Sequence, residues 1–374
     1  MKIENNKKLV SERFHFKTKN SILILIGGSL LVSLGILMIT IGGSWDVTNH
    51  LLNKPETFFS PSHAMMYTGV AVALIGSVFF FFGWRSFSKP TKNLFIFPLK
   101  VTLIGIALLV GAGPLDFVWH SNFGLDGLLS PPHLTLIAGM LLTGLGGLFS
   151  LSRYVNQKIT TKDSYKYRFL IIIGMIPVWL SATGLFYSFS LPFSDTDYFD
   201  FNPDPNFAMI FATISFPFLI SFMLLLSSNL ANNKFGILSI TGILFLAINC
   251  MTSIVPNSAI HYTIPYYFLN IIPLIVADVI ISTFRKNKIA IYAAGGILGT
   301  TFYMLYYPLL TYTYNDVLFH QVVWPSIISN IYFEMMHVAY PLIIGPAIIF
   351  GIIGAILAGK IKQKLVQPKK LVEN

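Results

Sequence analysis

The chain has 374 residues, of which 54% are hydrophobic and 11% are charged. Soluble domains carry about 25% charged residues, so this composition excludes an ordinary soluble protein and indicates an integral membrane protein. The single cysteine, Cys250, excludes an internal disulfide framework and a cysteine-based metal site.

Apolar segments long enough to cross a bilayer recur along the whole chain. A bilayer core requires about 20 apolar residues per helix. The segments that meet this requirement lie at residues 21–43, 62–84, 98–115, 131–152, 169–190, 207–230, 235–255, 262–284, 289–311 and 328–358. The sequence therefore predicts an all-α fold, a polytopic membrane helical bundle of about ten transmembrane helices.

Basic residues are confined to alternate loops and to the two tails, residues 1–20 and 359–374. Every Lys and Arg except Lys54 belongs to this set, whereas the intervening loops are acidic. The positive-inside rule places the basic loops and both termini in the cytoplasm, with the acidic loops outside the plasma membrane. The net charge of +10 is then explained by topology and contact with the lipid bilayer. Nucleic acid is not a predicted partner, because the basic residues are divided among short loops.

One motif occurs twice in the first half of the chain. Asp-x3-His-x12-His begins at Asp46 and again at Asp116, and a Ser-Pro pair precedes the last His of each copy. The matched residues are Asp46 and Asp116, His50 and His120, Glu56 and Asp126, Ser60 and Ser130, and His63 and His133. The repeat unit is a helix, an outer loop and a helix. We expect close hairpins at 21–84 and 98–152, and diverged hairpins at 169–230, 235–284 and 289–358, within one transmembrane domain at 21–358.

The motif supplies a metal-ligand set at the outer membrane surface. Residues four apart share a helix face, so Asp46 and His50 can point together if the helix continues that far. Ser and Pro suit the N-cap and the first helical position, which places the last His in the first turn of the next helix. One carboxylate and two imidazoles suit copper, zinc or iron and leave open coordination positions.

Further candidates surround these ligands. Glu56 and Asp126 are candidate acceptors for an imidazole N–H. The last outer loop repeats half of the motif as Asp316 and His320, and Glu334 and His337 follow on one face of the tenth span. Ionisable residues at membrane depth are functional candidates. Helix capping and anchoring at the interface are the alternative explanation for every one of these residues.

The duplicated motif resembles one family. Asp-x3-His-x12-His ending in Glu-Thr-x-Phe-Ser-Pro-Ser-His is similar to a metal motif in one membrane component of the copper membrane monooxygenases, which oxidise methane, ammonia or short hydrocarbons. The resemblance implies copper ligands at Asp46, His50 and His63, and at Asp116, His120 and His133, and it implies that other membrane proteins complete the complex. The chain departs from the family in its duplicated motif, in Glu56 for Asp and in Pro132 for Ser. A second family site, built from Asn and two His, has no match.

Three functions remain open at this point. The first is a copper-dependent oxidoreductase that resembles a monooxygenase and acts on a small or apolar substrate. The second is a metal-ion handling or transport protein, in which the Asp316, His320, Glu334 and His337 group passes the ion inward. The third is a non-catalytic structural membrane protein, in which Asp and His only cap helices.

Overall fold

The computed structural model describes residues 2–51, 57, 59–124, 127–158, 165–190, 201–255, 264–285, 287–306 and 340–366. Most residues in these ranges are helical, and no strand occurs in them. The helices are α1 (Lys2–Leu51), α2 (Pro61–Arg85), α3 (Lys89–Phe123), α4 (Pro131–Lys158), α5 (Tyr165–Ser188), α6 (Pro205–Leu230), α7 (Ile237–Ile254), α8 (Ile264–Leu269), α9 (Ile271–Thr283), α10 (Lys288–Ile297) and α11 (Tyr340–Val366). A π-helical turn, Leu298–Phe302, continues α10.

Eight of the described helices are long and apolar enough to cross a membrane, namely α1 to α6, α10 with its continuation, and α11. Two shorter apolar helices, α7 and α9, lie between them. Each predicted span overlaps one of these helices in its described part. The chain is therefore a multi-pass helical membrane protein.

The first and third predicted spans are too short. The prediction ended them at residues 43 and 115, whereas α1 continues to Leu51 and α3 to Phe123. The prediction measured the apolar stretch, but a helix continues into polar residues where no breaker stops it. The difference places Asp46, Asp116 and His120 inside helices. The predicted basic tail at 1–20 is also helical from Lys2 onward.

The eighth predicted span, 262–284, is broken in the structure. Helix α8 ends at Leu269, α9 begins at Ile271, and the intervening Asn270 is fully buried. Pro273 explains the break, because a proline inside a helix removes a backbone donor and clashes with the carbonyl four residues earlier, here that of Leu269. The predicted single helix is therefore two helices.

The first two hairpins are closely packed through glycines at equivalent positions. A Cβ added at Gly69 would lie 2.6 Å from the carbonyl oxygen of Gly35, and one added at Gly139 would lie 3.1 Å from that of Gly105. Small residues let transmembrane helices approach at backbone distance. Each copy of the motif is thus held by a helix pair with the same close contact.

The second half of the bundle packs differently. Helix α6 has its most extensive contact with α11, and Ser221 donates a hydrogen bond of 2.6 Å to the carbonyl of Gly351. Gly354 lies against the backbone of Phe218 in the same interface. The predicted hairpin at 169–230 is therefore not a close copy of the first two in its packing.

Candidate metal centre

Both motifs lie at the same end of a four-helix group. Helices α1 and α3 carry Asp46 and Asp116 near their C-terminal ends, and α2 and α4 begin at Pro61 and Pro131. The two helices of each hairpin are antiparallel neighbours, so the end of one meets the start of the next. This arrangement brings His63 to Asp46, and His133 to Asp116.

The second hairpin gathers three ligand atoms around one point. Asp116 Oδ1 lies 3.4 Å from His120 Nε2 and 3.5 Å from His133 Nε2. The two imidazole rings are 5.3 Å apart between centroids. One ligand atom from each of Asp116, His120 and His133 lies within 4.8 Å of the others, and all three residues are half-buried.

In each ring Nε2 faces Asp116, and the partner of Nδ1 bears on which of the two nitrogens carries the proton. His120 Nδ1 lies 2.7 Å from the carbonyl oxygen of Gly124, and His133 Nδ1 lies 3.2 Å from that of Gly127. A carbonyl oxygen only accepts, so an Nδ1–H would donate to it, while His133 Nδ1 also faces the Ser130 hydroxyl at 2.9 Å. A neutral ring with its proton on Nδ1 would present the Nε2 lone pair to a bound cation. Asp116 Oδ1 is buried and receives no hydrogen bond from any described residue. Three electron-pair donors therefore converge in a way that suits a cation.

The spacing of these atoms fits a metal ion. Bonds of about 2.0–2.2 Å at tetrahedral angles place two ligand atoms roughly 3.3–3.6 Å apart. The two distances from Asp116 Oδ1, 3.4 and 3.5 Å, fall within that range. Three protein ligands also leave a coordination position open for water or substrate.

The first hairpin has the same arrangement of helices, but its carboxylate, Asp46, already has close side-chain partners. His63 Nε2 lies 2.8 Å from Asp46 Oδ1, and Ser62 Oγ donates to the same oxygen at 2.9 Å. His63 Nδ1 lies 3.1 Å from the carbonyl oxygen of Thr57. Both ring nitrogens thus face oxygen atoms, as in the second hairpin, but here Nε2 is within hydrogen-bond distance of the carboxylate. The backbone of His50 lies in α1, but its side chain is outside the described part of the structure.

The serines ahead of α2 and α4 have different partners in the two hairpins. Both helices begin at the proline, as predicted, but the Ser60 hydroxyl makes no capping bond to the described backbone of α2 and lies 3.1 Å from Ser62 Oγ. In the second hairpin Pro132 replaces Ser62, and Ser130 Oγ lies 2.9 Å from His133 Nδ1. The predicted side-chain cap by Ser60 is therefore absent, and Ser130 contacts a ligand side chain directly.

Several predicted residues fall outside the described part of the chain. They are Glu56, Asp126, Asp316, His320, Glu334 and His337. In the described hairpins, the acceptors for imidazole Nδ1 are the backbone carbonyls of Thr57, Gly124 and Gly127. Sequence reasoning missed these carbonyls because backbone acceptors have no sequence signature.

Sequence reasoning also missed Tyr67. Its ring centroid is 6.2 Å from that of His63. Tyr67 follows His63 by four positions on α2, a spacing that places both on one helix face. That spacing was available in the sequence, but the second copy has Ile137 at the equivalent position, so the repeat did not reveal it.

Comparisons with known proteins assign no family: the chain matches no protein-family model, no curated protein and no solved structure.

Proposed function

We propose that this chain is a membrane metalloprotein whose Asp116, His120 and His133 bind a transition-metal ion at the extracytoplasmic surface, and that the bound ion serves an oxidoreductase reaction. Copper is the metal we propose, with zinc and iron as the other ions that suit these ligands. The equivalent set in the first hairpin, Asp46, His50 and His63, is the proposed second site.

One observation carries the proposal. Asp116 Oδ1 and two Nε2 atoms meet at 3.4 and 3.5 Å, and that oxygen has no hydrogen-bond donor among the described residues. A buried acceptor without a donor costs about 1–3 kcal/mol. Helix capping alone gives no reason for this cost, because neither imidazole caps a helix through Nε2. A bound cation would remove it.

The ligand types favour copper over most alternatives. Two imidazoles and one carboxylate suit copper, zinc and iron, and copper(II) binds such sites most tightly among the divalent first-row metals. The resemblance of the motif to the copper monooxygenases supports the same choice. Orientation of each ring by an Nδ1 bond to a carbonyl is typical of metal-bound histidines.

The surroundings of the site suit an apolar substrate that arrives through the lipid. Phe117 and Val118, next to Asp116 on α3, are each 56% exposed. In a membrane helix such residues contact lipid or the interface. These residues lie on other faces of α3 than Asp116, so the helix that carries the ligand would contact lipid beside the site and bring a small apolar molecule near it.

The location outside the cytoplasm rests on the distribution of charge. Arg85 and Lys89 lie at the opposite ends of α2 and α3 from the ligands. The positive-inside rule assigns that basic end to the cytoplasm and the ligand end to the exterior. The transport alternative depends on Asp316, His320, Glu334 and His337, which lie outside the described residues.

Metal content of the purified protein tests the proposal. We expect the detergent-purified chain, loaded with copper(II) and washed, to retain tightly bound copper and His133→Ala to lose about one ion per chain. His15→Ala is the matched control, because residue 15 lies about 45 Å before Asp46 along α1, at 1.5 Å per residue. The same copper content in His133→Ala and His15→Ala, or no copper, zinc or iron retained by the wild-type protein, would contradict the proposal.

A further inference from the structure

The basic end of the second hairpin carries an arginine inside a membrane helix. The apolar span of α4 is Pro131–Gln157, so Arg153 lies about 6 Å inside its end and about 30 Å from His133 along the helix. Its Nη1 donates to the backbone carbonyl of Leu94 in α3, and its Cζ lies 5.8 Å from the centroid of the Phe97 ring. A charged side chain within a span is costly and is a functional candidate. The metal centre, at the other end of α4, gives no reason for this residue.

The guanidinium of Arg153 has more hydrogen-bond donors than its surroundings use. It carries five N–H groups, whereas the described residues provide an acceptor to Nη1 alone. No described carboxylate lies within ion-pair distance of it. A phosphate group supplies several anionic acceptors, and arginine binds phosphate through two parallel N–H bonds. The remaining donors of Arg153 therefore suit a phosphate.

The same guanidinium lies at a surface that contacts lipid. Phe97 is 51% exposed, and its ring stacks on that of Phe149 with the centroids 5.8 Å apart. Phe149 and Arg153 are four residues apart on α4, so they share one face of that helix. An exposed phenylalanine in a membrane span contacts the hydrocarbon chains of the bilayer. Arg153 is thus placed beside the chains, near the level of their headgroups.

A second cation lies on the same face of α3. Lys100 is exposed and follows Phe97 by three positions, a spacing that places both side chains on one helix face. It lies about 14 Å inside the span that begins at Thr91. Helical side chains tilt toward the N-terminus, which in α3 is the basic end, and a lysine at this depth extends its ammonium group toward the interface. Lys100 and Arg153 therefore both approach the turn of α3 that carries Phe97.

The first hairpin has no equivalent pair of cations. The residues 70 positions earlier are Gly83 for Arg153, Gly27 for Phe97 and Leu30 for Lys100. Gly27 and Leu30 line a groove whose lining residues are all apolar. The two cations are therefore a feature of the second hairpin alone and do not follow from the repeat.

We propose that the α3–α4 seam, formed by Leu94, Phe97, Lys100, Phe149 and Arg153, binds an anionic glycerophospholipid. Arg153 binds its phosphate, Lys100 supplies a second positive charge, and the Phe97 ring contacts an acyl chain. The lipid belongs to the leaflet on the basic side, which the positive-inside rule assigns to the cytoplasm and where anionic lipids make the surface potential negative. A lipid fits better than free phosphate, because Arg153 and Lys100 both lie within apolar spans.

Lipid binding by the purified protein tests this site. The protein is delipidated in detergent with a chelator present, which removes metal from the experiment, and is titrated with phosphatidylglycerol or with zwitterionic phosphatidylcholine. Native mass spectrometry reports the lipids bound. We expect the wild-type protein to prefer phosphatidylglycerol, Arg153→Gln to weaken its binding at least about tenfold, and Lys100→Gln to weaken it about fivefold. Arg285→Gln is the matched control, because it removes an exposed arginine after α9, in the other half of the chain, and should change binding by less than about twofold.

A purely structural role for Arg153, as a link from α4 to the carbonyl of Leu94, predicts a different result. Arg153→Gln would then lower the unfolding temperature equally in the presence of either lipid. We expect instead that phosphatidylglycerol stabilises the wild-type protein and Arg285→Gln far more than Arg153→Gln. Lys100→Gln provides the same comparison if Arg153→Gln does not fold.

Three results would overturn the lipid site. The first is equal binding of the two lipids by the wild-type protein, and the second is an equal loss of binding in Arg153→Gln and Arg285→Gln. The third is stabilisation by inorganic phosphate that matches stabilisation by phosphatidylglycerol, which would indicate a site for a soluble anion. None of these results bears on the metal centre, because the chelator is present throughout.

Discussion

The two hairpins carry the same motif on the same arrangement of helices. The carboxylate of the first is hydrogen-bonded by neighbouring side chains, whereas that of the second has no such bond to Oδ1 from the described residues. In the first, His63 Nε2 and Ser62 Oγ approach Asp46 Oδ1 to 2.8 and 2.9 Å. In the second, the nearest imidazole nitrogens remain 3.4 and 3.5 Å from Asp116 Oδ1, which no described residue supplies with a hydrogen bond. The first carboxylate is thus already hydrogen-bonded, whereas the second is the one we propose to bind a cation.

A single residue difference explains much of this contrast. Ser62, the second residue of α2, donates to Asp46, but Pro132 at the equivalent position of α4 has no side-chain donor. Ser60 therefore lies against Ser62, while Ser130 turns to His133. In the proposed metal centre, the donors that are missing around Asp116 therefore matter as much as the ligands that are present.

The substitutions with the largest expected effect test the close helix contacts at glycines that both hairpins share. A Cβ at Gly69 or Gly139 would lie 2.9 Å from the backbone nitrogen of Ile39 or Leu109, respectively. We expect Gly69→Ala and Gly139→Ala each to destabilise the protein by about 1–3 kcal/mol through overpacking. The readout is thermal unfolding in detergent.

The matched controls for these substitutions are Gly43→Ala and Gly113→Ala, equivalent helix positions where an added Cβ meets nothing within 4 Å. These controls should raise stability slightly, because alanine is favoured over glycine in a helix by about 0.8–1.0 kcal/mol. Equal effects at all four positions would show that the hairpins are not closely packed.

The reciprocal exchange of Ser62 and Pro132 should invert the contrast between the sites. Pro132→Ser supplies a donor to Asp116, and a competing hydrogen bond should weaken metal binding at the second site by about tenfold, the upper part of the range for one hydrogen bond. Ser62→Pro removes the donor from Asp46 and should strengthen binding at the first site by a similar factor. Zinc titration of each variant gives the two affinities, with unchanged affinities in both arguing against the role assigned to these residues.

The smallest expected effect concerns the metal-free protein. Asp46→Asn weakens a charge-assisted contact and should lower the unfolding temperature, at a cost of about 1–2 kcal/mol. Asp116→Asn removes an unsatisfied charge and should leave the unfolding temperature unchanged or raise it. Thermal unfolding in the presence of a chelator compares the two variants, and a large loss of stability in Asp116→Asn would mean that its carboxylate is already satisfied without metal.

The sequence was sufficient to predict an all-helical membrane bundle and the approach of three side chains of the second motif. Apolar length identified the membrane helices, and the 70-residue repeat predicted that Asp116, His120 and His133 would converge. The positions of Pro61 and Pro131 at the start of their helices also followed from local chemistry. These features depend on composition and on neighbours within a few residues.

Other features depend on tertiary contacts that no local pattern reports. The break at Asn270 was visible only as Pro273, a residue that many membrane helices tolerate. Whether each carboxylate is hydrogen-bonded depends on hydroxyl groups, and the packing between helices determines the partners of those groups. Tyr67 was hidden because the comparison of the two copies emphasises shared residues, and Ile137 occupies its position in the second copy.

X-ray absorption at the copper edge of the His63→Ala protein tests the central claim most directly, because that variant isolates the second site. We predict that the atoms bound to copper are nitrogen and oxygen only, at about 2.0–2.2 Å. More distant scattering from two imidazoles should accompany them and fall to one imidazole when His133→Ala is added. Copper that shows no imidazole scattering, or a spectrum unchanged by His133→Ala, would contradict the assignment of Asp116, His120 and His133 as a metal centre.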